Sequence, residues 1–132
     1  MKFLLLMLGV GLLVACGGGS SPVSPSTTTP TITISETGVS PAELRISVGQ
    51  QVRFVNNTSQ THMMRSNPYP VHTDCPPINE LPALSAGQSG LTGALTEQRT
   101  CGYHDHQQPQ NQEFQGVILV GVSESGGSSS GY

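Results

Sequence analysis

Polar and apolar positions alternate with a period of two through most of the central sequence, the spacing of half-buried β-strands rather than helices. Thr31-Ile32-Thr33-Ile34-Ser35 alternates cleanly. So do Leu44, Ile46 and Val48 around Arg45 and Ser47, ahead of the turn signal Gly49-Gln50. Val52 and Phe54 flank Arg53 in the next strand, which runs out at Asn56-Asn57. Leu91 to Thr96 and Thr100 to His104 are weaker strand candidates, and Gly116 to Val120 is the continuous aliphatic run of a sandwich interior. No segment carries a convincing amphipathic-helix pattern. Many short strands with turn residues between them predict an all-β antiparallel sandwich or barrel.

The alternation stops over residues 66–88, which hold five prolines. A long ordered excursion between strands fits this stretch, and such loops tend to carry function. It contains His72, Asp74 and Cys75. Alternation is also missing at both ends. Residues 17–30 and 123–132 are Gly, Ser, Pro and Thr with little else, which predicts a flexible linker and a disordered tail around a folded span of 31–122.

The first residues predict export. Lys2 precedes an apolar run from Phe3 to Val14, shorter than the roughly 20 residues of a membrane span, and small Ala15 follows. Leu13-Val14-Ala15-Cys16 resembles the lipobox of bacterial lipoproteins. That resemblance implies a signal peptide over 1–15, cleavage before Cys16, and lipidation of Cys16 as the membrane anchor. Gly17 after the cysteine suggests outer-membrane sorting, with the domain facing the periplasm or the surface. A plain signal peptide that happens to contain a cysteine is the alternative.

Charge narrows the partners. The chain carries a formal net charge of −3, and beyond Lys2 its basic residues are Arg45, Arg53, Arg65 and Arg99. No basic patch exists to neutralise phosphates, so nucleic acid is not an expected ligand. Cys75 and Cys101 remain in an exported chain, where oxidising conditions favour their pairing over two free thiols.

The chemistry gathers at Thr100-Cys101-Gly102-Tyr103-His104-Asp105-His106. On a strand, His104 and His106 share one face, and Cys101, Tyr103 and Asp105 share the other. Two imidazoles on one face form half of a transition-metal site, and Cys101, pointing away from them, is free to bond Cys75. That bond would staple the proline-rich excursion to the strand carrying His104. His62 and His72 are expected to complete a four-histidine cluster at one end of the sandwich. Asp74 and Asp105 are candidate acceptors for the imidazole N–H groups. Met63 and Met64 are candidate thioether ligands, although methionine at a strand end more often packs a core.

Read in order, Val39-Ser40-Pro41-Ala42, Leu44 to Gln50, Val52 to Asn57, His62, Ala86-Gly87-Gln88-Ser89, Gly102-Tyr103-His104 and Gly116 to Val120 resemble the cupredoxin family. The resemblance implies a cupredoxin-like Greek-key β-sandwich with a metal site at one end and His62 as the first-loop ligand. It also implies departures. His104 follows Tyr103 where blue-copper members carry a cysteine, and Phe114 stands in place of the axial methionine. Tyr103-His104-Asp105-His106 looks more like the Tyr-His-x-His segment of multicopper oxidases. An all-imidazole site suits Cu(II) best, with zinc acceptable. The expected function is copper handling or electron transfer at the bacterial envelope, with a redox or copper-transfer protein as partner. A metal-independent binding module and a small oxidase-like copper enzyme are the alternatives. No Ser-His-Asp array, phosphate loop or carboxylate pair is recognisable, which leaves hydrolase chemistry without support.

Overall fold

The computed structural model describes Gly18 and residues 28–123. The expectations for the leader, for Cys16, for most of the linker and for the tail lie outside the described residues.

Among the described residues, eight short strands form two four-stranded sheets. They are β1 (Thr31–Ser35), β2 (Gly38–Ser40), β3 (Glu43–Ile46), β4 (Arg53–Asn56), β5 (Met64–Ser66), β6 (Ser89–Leu91), β7 (Arg99–Asp105) and β8 (Gln115–Val120). One sheet runs in the order β2-β1-β4-β6 and the other β3-β8-β7-β5. The period-two pattern explains which side chains face inward. Ile32 and Ile34 of β1, Phe54 of β4, Met64 of β5, Cys101 and Tyr103 of β7, and Ile118 and Val120 of β8 are all fully buried. Phe54 and Tyr103 meet edge-to-face across the two sheets, ring centroids 5.3 Å apart, and so mark the inner face of β7.

Pairing departs from the expected antiparallel pattern in two places. β1 runs parallel to β4, and β3 runs parallel to β8, while the other pairs are antiparallel. Successive strands cross from one sheet to the other, so chain neighbours are not always sheet neighbours. The strand expected over Leu91 to Thr96 is also shifted. β6 ends at Leu91, and beyond it Thr92 and Leu95 donate backbone bonds to Val52 and Gln50.

The excursion after β5 is ordered. The Cys75–Cys101 disulfide ties it to β7, and a 3₁₀ helix over Pro76–Glu80 buries Ile78. Leu81 and Leu84 are buried as well, so this segment closes one side of the sandwich.

Candidate metal centre

Strand β7 presents different chemistry on its two faces. Cys101, Tyr103 and Asp105 are buried on the inner face. Gly102, His104 and His106 follow the other face by alternation. The antiparallel partner β5 obeys the same rule: Arg65 lies opposite His104 and Met64 opposite Asp105.

On the outer face, His72, His104 and His106 form one group, with ligand nitrogens all within 4.8 Å of one another. Each comes from a different local device. His104 is held by the strand and lies only 2% exposed, because the excursion covers it. His106 sits one residue past the end of β7, where its N–H donates to the Met63 carbonyl at 2.7 Å. His72 arrives from the excursion in a left-handed backbone conformation, φ 54°, uncommon for a residue with a side chain. Its N–H donates to the Pro68 carbonyl, and its own carbonyl accepts from Ser66 Oγ at 2.9 Å and Asn79 Nδ2 at 2.8 Å. Those bonds hold the unusual conformation in place.

Oxygen acceptors select the ligand nitrogens. His104 Nδ1 donates to Asn67 Oδ1 at 2.7 Å, and His72 Nδ1 donates to the Ser66 carbonyl at 2.8 Å. A ring nitrogen that carries the proton leaves the other with the lone pair, so both Nε2 atoms are free to ligate. His72 Nε2 lies 3.0 Å from His106 Nδ1, an N–H donor to that lone pair in the absence of metal. His104 Nε2 is buried with no hydrogen-bond partner among the described residues. A buried, unpartnered lone pair beside two other imidazole nitrogens is costly without a donor or a metal ion to engage it. A transition-metal ion fits that position. Gly102 makes the arrangement possible, since a Cβ there would overlap the Asn67 amide.

His62 is not part of this group. It lies inside, where Nδ1 donates to Asp105 Oδ2 at 2.8 Å and Nε2 lies 3.0 Å from Thr58 Oγ1. Phe114 packs over the ring, centroids 4.9 Å apart. Asp105 also accepts from the Met63 and Gln107 N–H groups, at 3.0 and 3.1 Å. Asn56 Oδ1, at the end of β4, accepts from the Thr58 N–H and hydroxyl and so fixes the loop. The β7 residue that meets His62 is therefore Asp105. A hydrogen-bonded His–Asp pair closes the inner end.

The expected four-histidine cluster is thus three histidines on one face and a fourth on the other. Neither aspartate serves the group of three: Asp105 belongs to His62, and Asp74 makes no hydrogen bond to an imidazole. Met64 is core, fully buried. Sequence reasoning did not single out Asn67, Ser66 or Tyr69. Their signal is pairing across strands, because Asn67 matters only once its N–H bonds the Gly102 carbonyl at 2.9 Å.

Burial holds the His104 imidazole below its ordinary pKa. Repulsion from His72 and His106 adds to this, and Asp105 opposes it. A neutral imidazole is the form that binds metal. Both Cys75 and Cys101 are engaged in the disulfide, so no thiolate is on offer among the described residues. Three imidazoles with no thiolate suit Cu(II) or zinc and rule out blue-copper electronic structure.

No family model matches the chain, and no curated protein matches its sequence. Solved structures do match its shape. A purple cupredoxin from Nitrosopumilus maritimus is 22% identical with a TM-score of 0.54, over 69% of this chain and 98% of that one. An oxidised methionine-to-leucine variant of amicyanin is 20% identical with a TM-score of 0.55, over 70% and 81%. The reduced Cu(I) form of a proline-to-glycine amicyanin variant is 19% identical with a TM-score of 0.55, over 73% and 85%. The fold is a cupredoxin-like β-sandwich.

Proposed function

We propose that this protein binds copper through His72, His104 and His106 and works in copper handling at a bacterial envelope, anchored through lipidated Cys16. The buried, unpartnered Nε2 of His104, converging with two further imidazole nitrogens, carries this reading. The cupredoxin-like fold favours copper over zinc, since structures of that fold include Cu(I) amicyanin. The Leu13-Val14-Ala15-Cys16 motif supports the anchor.

In this reading the protein's residues do three things. Asn67 and Ser66 hold the protons on the Nδ1 atoms of His104 and His72, which aims both Nε2 lone pairs at one point. His106, which meets His72 through Nδ1, would supply the third imidazole nitrogen to an ion held there. The excursion excludes bulk water from His104. Bound copper supplies a Cu(II) centre that an imidazole-only set stabilises, which suits holding and passing on the ion to a protein partner.

The test is metal analysis of the mature chain purified from an oxidising compartment. One Cu(II) per chain is expected, with nitrogen hyperfine structure in the paramagnetic resonance spectrum and no intense thiolate absorption. Zinc at one per chain would replace copper in the proposal. A chain that takes up neither metal would leave a metal-independent binding module.

A further inference from the structure

The group of three histidines has a fourth ring on it. Tyr69 lies 6.0 Å from His72, 5.9 Å from His104 and 5.5 Å from His106, centroid to centroid. Its contacts with His72 and His104 are edge-on and that with His106 is tilted. His72 in turn lies 5.1 Å from His104 and 4.9 Å from His106. Behind the imidazoles, Asn67 occupies the space over Gly102. Tyr69 itself is 50% exposed, so its ring borders both the cluster and solvent. Pro68 and Pro70 flank it and restrict the backbone that carries the ring. Its hydroxyl makes no hydrogen bond to a described residue, so the ring is not held there by a polar tether.

We propose that Tyr69 is an access-determining residue, a cap over the three-imidazole cluster that slows metal exchange and admits only small monodentate ligands to the ion. This rests on the reading of His72, His104 and His106 as the metal site. The ring packs against all three imidazoles while half of the residue stays exposed, which is the placement of a gate rather than of a core residue. Water, hydroxide or a small anion can reach an ion past the ring. A multidentate chelator cannot wrap the ion until the ring moves.

A gate and a ligand leave different kinetic marks. A residue that only obstructs the path changes loading and release rates together and leaves the equilibrium constant alone. A residue that donates to the ion changes the equilibrium constant, and mostly through release.

The experiment loads wild type, Tyr69→Ala and Tyr69→Phe with Cu(II). It measures affinity by competition, release to EDTA by stopped flow, and azide binding by its charge-transfer absorption. Tyr69→Ala should release and load copper about tenfold faster or more, with affinity held within about threefold, since the obstruction lies on the path and not in the complex. Tyr69→Phe should match wild type in all three. Azide should bind wild type, whereas EDTA should gain far more than azide from the alanine variant. If Tyr69→Phe loses affinity as Tyr69→Ala does, the phenol oxygen is a ligand and the gate is overturned. If the alanine variant exchanges at the wild-type rate with an unchanged melting temperature, the gate is overturned too. A wild-type chain that takes up no Cu(II) overturns the metal site itself, a separate failure.

Discussion

His62 Nδ1 lies 2.8 Å from Asp105 Oδ2, and neither side chain reaches solvent. The pair lies on the inner face of β7, and the three-histidine group lies on the outer one. Two neighbouring residues of one strand, His104 and Asp105, therefore serve separate structures, and mutations should separate them.

His104→Ala should lower copper affinity by about 100-fold or more, because it removes a ligand outright. His62→Ala should leave affinity within about tenfold while costing about 3–5 kcal/mol of stability, since it strands a buried carboxylate. Metal titration at low temperature together with thermal melts followed by circular dichroism checks both. Comparable affinity losses in the two variants would contradict the two-face arrangement.

Asn67 and Gly102 act through His104. Asn67→Ala should weaken copper binding about 10–100-fold, the usual effect of losing the group that orients a ligating histidine. Gly102→Ala should do the same, because its Cβ displaces the Asn67 amide. Asn67→Asp keeps an acceptor for Nδ1–H and should recover most of the affinity. Isothermal titration on the three variants reads the difference, and unchanged binding in Asn67→Ala would remove Asn67 from the site.

The disulfide closes a loop of sequence separation 26. Replacing both cysteines by serine should cost about 3–4 kcal/mol on the chain-entropy argument. Copper affinity should fall with it, because the same loop carries His72. Denaturant unfolding and metal titration of the double variant give the two numbers, and hydrogen exchange should show residues 67–80 loosening ahead of the sheets.

Acid should act on the metal-free protein through His104, whose folded pKa lies below its unfolded one. Its contribution to stability is present above the unfolded value of about 6.5 and is lost as pH falls through the folded value. Copper binding needs the same neutral ring, so affinity should also fall on acidification. Unfolding free energy measured across that range should drop for wild type, and less steeply for His104→Gln.

Tyr103 carries a buried hydroxyl with no hydrogen-bond partner among the described residues, packed against Gly116, and burial pushes its pKa up. Tyr103→Phe removes the unsatisfied group and keeps the edge-to-face contact with Phe54, so it should stabilise the fold by about 1 kcal/mol. A loss of stability in thermal melts would contradict this.

Strands with room for two inward side chains were legible in the sequence. β1, β4 and β8 announce themselves through Ile32 and Ile34, Phe54, and Ile118 and Val120. The three-residue strands β2, β5 and β6 are too short for alternation to register, and β6 was expected later than it falls. The Cys75–Cys101 bond was legible from chemistry and from the face Cys101 takes. The side on which His62 ends was not, because it depends on a side-chain bond to Asp105, 43 residues further along the chain. Asn67 was invisible for the same reason. Nothing local marks it until Gly102 stands across from it.

Alternation along β7 has one more consequence, for the reading frame of the strand. A one-residue slip in a strand sends every side chain to the opposite face. Here it would drive the His104 imidazole into the space of a carboxylate that accepts from His62, Met63 and Gln107, and put Asp105 among the imidazoles. The hydrophobic faces of the sandwich already disfavour such a slip. In this protein the polar chemistry of two adjacent residues disfavours it again, so an insertion or deletion within residues 99–105 would dismantle the inner lock and the outer cluster together.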